Sequence, residues 1–153
     1  MKFDANRPDL TIGVLGTGAM GRGIVQVAVA GGITVLMMDT KPGAAEEARD
    51  FIGKMLSRAA EKGSMSKEDA AAATARIKVI NSLAEFKPCH AVIEAVVENL
   101  DVKRQVFGEL ENIVAPDCIL ATNTSSMSVT TIAAKLKTPP VSYTHLRAHE
   151  TRE

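Results

Sequence analysis

Gly16, Gly18 and Gly21 form a G-x-G-x-x-G pattern, and an acid, Asp39, follows the first of them by 23 residues. Each type has a job where a phosphate must meet a backbone. Gly16 permits a tight turn, Gly18 leaves no Cβ between the chain and a pyrophosphate, and Gly21 lets a helix pack closely on the strand before it. The helix start, with Ala19 and Met20 beside the glycines, aims free N–H groups and a positive dipole end at the phosphates. Asp39 lies near the roughly 20-residue spacing at which an acid receives an adenosine ribose. A carboxylate there repels a 2′-phosphate, so the cofactor expected is NAD rather than NADP, a preference that Lys41 weakens a little. Alone, G-x-G-x-x-G is a weak signal, since it also marks structural glycine turns.

The elements around the glycines strengthen it. Ile12–Leu15 reads as a strand, Met20–Ala30 as a helix stopped by Gly31-Gly32, and Thr34–Asp39 as a second strand ending on the acid. The opening 1–10 reads as a loose leader. From Ala44 to Lys62, Ala48, Phe51-Ile52, Met55-Leu56 and Ala59 recur at helical spacing. Ser66 caps a second, alanine-rich helix, Asp69–Ala75. This hairpin is inserted where a simple βαβ chain would cross directly to the next strand. Ile77–Ile80 is a third strand, Leu83–Cys89 a connection and Ala91–Val96 a fourth strand, apolar on both faces as a buried parallel strand should be. Asp101–Val114 is a helix with the stripe Val102, Val106, Leu110 and Ile113. Cys118–Ala121 is a fifth strand, and Val129–Lys137 a short helix. The expected fold is α/β, a Rossmann-like doubly wound parallel sheet with an inserted helical hairpin, incomplete at its C-terminal end.

In such sheets ligands bind beyond the carboxyl ends of the strands. Three groups fall there: the glycine turn, Ala95–Lys103, and Asn123-Thr124-Ser125-Ser126. Together with Val92-Ile93-Glu94-Ala95-Val96-Val97-Glu98-Asn99-Leu100, these resemble the NAD-binding domain of the 3-hydroxyacyl-CoA dehydrogenases over about 11–140. The resemblance implies reversible oxidation of an (S)-3-hydroxyacyl-CoA to a 3-ketoacyl-CoA with NAD. It implies Gly16, Gly18 and Gly21 along the pyrophosphate, Asp39 on the ribose, Glu98 and Lys103 near the nicotinamide half, and Ser125 between the substrate 3-oxygen and the cofactor. It implies Lys62 on the CoA moiety, where a cation suits phosphates. Plainer roles stand beside these: Glu98 as a helix-start acid, Lys103 on a solvated helix face, Ser125 as a helix cap, Lys62 as a surface lysine. Glu94 is expected to make a structural hydrogen bond at a strand end. His90 reads as a surface or satisfied histidine, and Met37, Met38 and Met127 as packing residues.

In that family the base is a histidine held by a glutamate, within a His-Phe-Phe-Asn-Pro stretch beyond the equivalent of Pro140. That stretch is not in this sequence, and His145 and His149 share nothing with its context. Residues 141–153 resemble the translation of a sequencing-library adapter and are expected to be a non-native tail. The chain alone is therefore expected to be inactive, its parent a homodimer through a helical C-terminal domain. Its 18 basic and 18 acidic residues give no general attraction to nucleic acid or anionic membrane. The longest apolar runs fall far short of the ~20 residues of a membrane span. Cys89 and Cys118, without C-x-x-C spacing, read as buried free thiols of a cytoplasmic protein, and no metal site is expected. Two other readings are an NAD-linked hydroxyacid or sugar-acid dehydrogenase of the same fold, and a non-catalytic nucleotide-binding module.

Overall fold

The computed structural model describes residues 3–96 and 99–123. Strand β1, Thr11–Leu15, is the centre of the chain and is buried along almost its whole length. Its alternation divides the interior. Ile12 and Val14 face one side with Val35 and Met37, whereas Leu15 faces the other with Val92 and Leu120.

Helix α1, Ala19–Ala30, follows β1 and buries Gly21, Val25, Ala28 and Val29. Strand β2, Thr34–Met38, pairs parallel with β1. Helices α2, Ala44–Glu61, and α3, Lys67–Ala75, form the expected hairpin. Ser66 caps α3, its hydroxyl accepting the Asp69 N–H at 3.0 Å. In α2 the buried stripe is Ala45, Ala48, Ile52 and Leu56. Phe51, expected on that stripe, is instead 38% exposed, because it stands one position round the helix from the 45/48/52/56 face.

Strand β3, Ile77–Val79, adds to β2. The connection after it holds a 3-10 turn, Leu83–Phe86, that drives Phe86 into the core at 0% exposure. Strand β4 is shorter than expected, Ala91–Glu94, since the Val96 N–H bonds back to the Glu94 side chain instead of continuing the ladder. Helix α4, Leu100–Ile113, is capped by Asn99, whose side chain accepts from the Val102 N–H at 3.1 Å. Strand β5, Ile119–Thr122, ends the described chain.

The five strands are parallel, in the order β3-β2-β1-β4-β5. One face is covered by α1, α2 and α3, the other by α4 and the 3-10 turn. The chain moves outward one way through β2 and β3, then the other way through β4 and β5. The switch therefore lies between β1 and β4, where a doubly wound sheet opens a crevice at its carboxyl end.

Candidate functional site

The crevice is lined first by the glycine turn. Gly16 has φ +102°, a left-handed conformation, and a Cβ there would stand 2.5 Å from the Ala95 carbonyl oxygen. A Cβ on Gly21 would overlap the Gly16 carbonyl oxygen, so α1 can press on the turn only because position 21 is bare. At Gly18 a Cβ would meet nothing within 4 Å. Gly16 and Gly21 thus answer to the protein's own packing, and Gly18 faces open space.

That space suits a phosphate group. Gly18, Ala19 and Met20 are exposed at the start of α1. The helix has no side-chain cap there and no acid in its first turn. Its first N–H groups are left to an external acceptor, with the dipole favouring an anion.

Asp39 stands at the end of β2, in a cleft of about 440 Å³ shared with Thr17, Gly18, Arg22, Lys41, Ala44, Glu47, Ala48 and Phe51. The Thr17 N–H and hydroxyl both donate to Asp39 Oδ2, at 2.8 and 2.7 Å, and the Lys41 N–H donates to Oδ1 at 2.9 Å. Partial burial pushes the carboxyl up, but the hydrogen bonds from Lys41 and Thr17 outweigh it and hold Asp39 below its ordinary value. The acid is ionised and oriented. Over the same cleft the Arg22 guanidinium stacks on the Phe51 ring, 3.9 Å from its centroid. These groups fit a dinucleotide: bare N–H groups for its phosphates, and an oriented carboxylate for its ribose.

Beyond β4 the sequence understated what forms. Glu94 is fully buried. Its Oε2 receives the Lys103 ammonium at 2.6 Å and the Val96 N–H at 2.7 Å, and its Oε1 receives the Thr122 hydroxyl at 2.7 Å. Glu94 therefore does more than make one strand-end hydrogen bond. It ties β4, β5, α4 and the loop after β4 together. Lys103 is not on a solvated face; its side chain is 1% exposed, on the stripe Lys103, Phe107 and Leu110 that α4 buries. The expected stripe was rotated from this one, and Val102 is 37% exposed. A lysine reads as polar in a sequence pattern, yet Glu94 on the facing strand admits it to the interior.

Glu98 and Ser125 lie outside the described residues, as do Met127, His145 and His149. Lys62 is exposed just past α2. The cleft residues of α2 run only from Ala44 to Phe51, so Lys62 stands 11 residues beyond the last of them, about 16 Å along the axis at ~1.5 Å per residue, and does not meet them. A larger groove, about 1110 Å³, runs between α2 and α3 past Arg49, Lys54, Arg58 and Lys67, away from the glycine turn. His90 is satisfied, its Nδ1 accepting the Thr11 N–H at 3.0 Å. Met37 is buried packing. Among the described residues no group of His, Cys, Asp and Glu could hold a metal ion. Thr17 and Thr122 were missed. Thr17 is only a variable position within the glycine motif, and Thr122 differs from a loop threonine only through its register with Glu94.

Comparison with known proteins gives the same picture. Residues 11–146 match the family model for the 3-hydroxyacyl-CoA dehydrogenase NAD-binding domain. The chain is 41% identical over 126 residues to a probable 3-hydroxybutyryl-CoA dehydrogenase of Bacillus subtilis, covering 82% of this chain and 44% of that protein. It is 36% identical over 129 residues to 3-hydroxyadipyl-CoA dehydrogenase of Escherichia coli, covering 84% and 27%. The crystal structure of an Escherichia coli 3-hydroxybutyryl-CoA dehydrogenase superposes with a TM-score of 0.83 at 35% identity, over 86% of this chain and 28% of that one. The chain thus spans less than half the length of these relatives.

Proposed function

The chain belongs to the 3-hydroxyacyl-CoA dehydrogenase family, as its NAD-binding domain, and from that premise we propose that the full protein oxidises an (S)-3-hydroxyacyl-CoA to the 3-ketoacyl-CoA in acyl-CoA degradation. The observation that carries the proposal is the carboxyl end of the sheet, where an uncapped helix start after β1 and an oriented Asp39 after β2 meet one dinucleotide's chemistry at two points. The substrate class rests on the relatives, named for 3-hydroxybutyryl-CoA and 3-hydroxyadipyl-CoA.

NAD, when bound, supplies the acceptor for the hydrogen on C3 of the substrate. This chain's residues do the holding. Gly18, Ala19 and Met20 present backbone N–H groups to the pyrophosphate, Gly16 and Gly21 shape the turn that holds them there, the Gly16 N–H itself being given to the Met38 carbonyl oxygen at 2.8 Å, and Asp39 accepts from the adenosine ribose. Glu94 and Lys103 fix the loop leading to Glu98, which together with Lys103 belongs to the nicotinamide half. Ser125 hydrogen-bonds the substrate 3-oxygen, and Lys62 meets the CoA moiety. The 153 residues contain no His-Phe-Phe-Asn-Pro stretch, so this chain binds NAD without turning over substrate. The full protein works as a cytoplasmic homodimer. No described helix is long and apolar enough to cross a membrane.

The test is a pair of measurements. The purified 153-residue chain is titrated with NADH and then assayed with acetoacetyl-CoA and NADH; the uninterrupted gene product is assayed alongside. Binding by both, with turnover by the longer protein alone, is the expected result. Appreciable turnover by the short chain would remove the inactivity claim, and an inactive long protein would remove the proposed reaction.

A further inference from the structure

Thr17, between the first two glycines, is given no role by the sequence. It is 7% exposed, one of four polar or charged residues among those described that are buried. It gives Asp39 Oδ2 two hydrogen bonds, one from its N–H and one from its hydroxyl, while the Lys41 N–H serves Oδ1. A carboxylate accepts about four hydrogen bonds, so roughly one acceptor direction is left, on Oδ1. All three donors are neutral, and no ion pair among the described residues includes Asp39. A carboxylate satisfied by dipoles keeps its charge, against which the Lys41 ammonium on the same cleft acts only through space. Arg22, a cation lining the same cleft, is stacked on Phe51.

We propose that Thr17 is a positioning residue that aims Asp39 at the adenosine ribose and thereby sets the preference for NAD over NADP. This rests on the NAD-binding reading above. The Thr17 hydroxyl fixes the Asp39 side chain with its open acceptor toward the cleft. There it can receive a ribose hydroxyl and repel a 2′-phosphate. Remove the hydroxyl while keeping the shape, and Oδ2 loses a partner at a site where a methyl now abuts an anion. Asp39 then turns toward water, giving up both its bond to the ribose and its opposition to the phosphate.

The experiment is fluorescence titration of the whole 153-residue chain with NADH and with NADPH. The chain has no tryptophan, so the cofactor signal has little competition. Thr17→Val should weaken NADH about tenfold, the scale of a lost hydrogen bond to a charged group, with little loss for NADPH. Thr17→Ser, which restores the hydroxyl, should return both affinities to within about twofold of the parent. If Thr17→Val melts early, Thr17→Ala carries the same comparison without the added methyl contact. Equal weakening of both cofactors, an unchanged ratio, or a serine variant as impaired as the valine would each overturn the role of Thr17. Failure of the parent chain to bind NADH would overturn the NAD-binding reading and this inference with it.

Discussion

A single methyl group separates two kinds of glycine in the turn. At Gly21 it would overlap the Gly16 carbonyl oxygen, and at Gly16 it would press on Ala95 in a backbone conformation that side chains resist. At Gly18 it would enter open space from an extended backbone, φ −66° and ψ −171°. Two outcomes follow. Gly21→Ala should lose about 1–3 kcal/mol of stability or fail to fold, since backbone cannot yield as a flexible side chain can. Gly18→Ala should lose less than about 1 kcal/mol, the difference between glycine and alanine at a helix start. Its NADH affinity should nevertheless fall by about tenfold or more, because the methyl occupies the phosphate's approach. Thermal melts and NADH titration of the two variants separate the effects. A Gly18→Ala chain that binds NADH normally would show that the pyrophosphate does not lie against this turn. The turn at Gly16 and the close packing at Gly21 were legible in the sequence. The orientation of Asp39 was not, because Thr17 and Asp39 meet only when β1 and β2 lie side by side in parallel register.

Helix α4 is held by charge as well as by apolar burial. Phe107 and Leu110 pack beneath the sheet, and between them and the carboxyl ends of the strands Lys103 reaches Glu94 at 2.6 Å. Burying two ions costs free energy that their attraction only roughly repays, so the pair is poor evidence of net stabilisation. Breaking it is another matter. Lys103→Met keeps the apolar stem but leaves the Glu94 carboxylate buried with only Thr122 and the Val96 N–H, and should cost about 3–5 kcal/mol in urea unfolding. A loss below about 1 kcal/mol would show that the pair does not hold α4 to the sheet. The same residue explains why the sequence misplaced this helix's inner face. Its Asn99 cap was not read, but its ends were legible to within a residue from the pattern of apolar residues, as were the hairpin and the parallel strands. The rotation was not, since the stripe through Val102 and Val106 is as apolar as the one through Lys103 and Phe107. Only the facing carboxylate on β4 chooses between them. Phe51 was misjudged for the opposite reason: an aromatic ring counted as core serves Arg22 at the surface.

At the scale of the whole molecule, the two thiols report on how the sheet opens. Cys89 and Cys118 precede β4 and β5, at the end of the sheet opposite the glycine turn, and both are 2% exposed. Burial pushes each thiol up to about 12 from an ordinary 9.0. For each thiol, the stability it confers is present below pH 9 and is lost as pH rises from about 9 toward 12, because over that range the unfolded thiol releases its proton and the folded one holds it. Both thiols pack with Phe86, Phe107, Leu110 and Leu120 on the α4 face and also line a cavity of about 150 Å³ beside His90 and Asp117, too small and too little open to them for a bulky aromatic disulfide to reach sulfur unless this packing opens. Ellman's reagent at pH 8 should therefore label neither thiol in the native chain and both in denaturant. The residual native rate then measures the opening that exposes the thiols. NADH binds only the folded form, and at a free concentration of about 100 times its dissociation constant it adds ~2.7 kcal/mol. The labelling rate should fall about a hundredfold, although the cofactor lies at the far end of the sheet and shields neither sulfur. A rate unmoved by NADH would mean that the ends of β4 and β5 open locally, independently of the crevice. A hundredfold fall would mean that the cofactor cleft and the thiol core unfold as one unit, joined through β1, the strand that belongs to both.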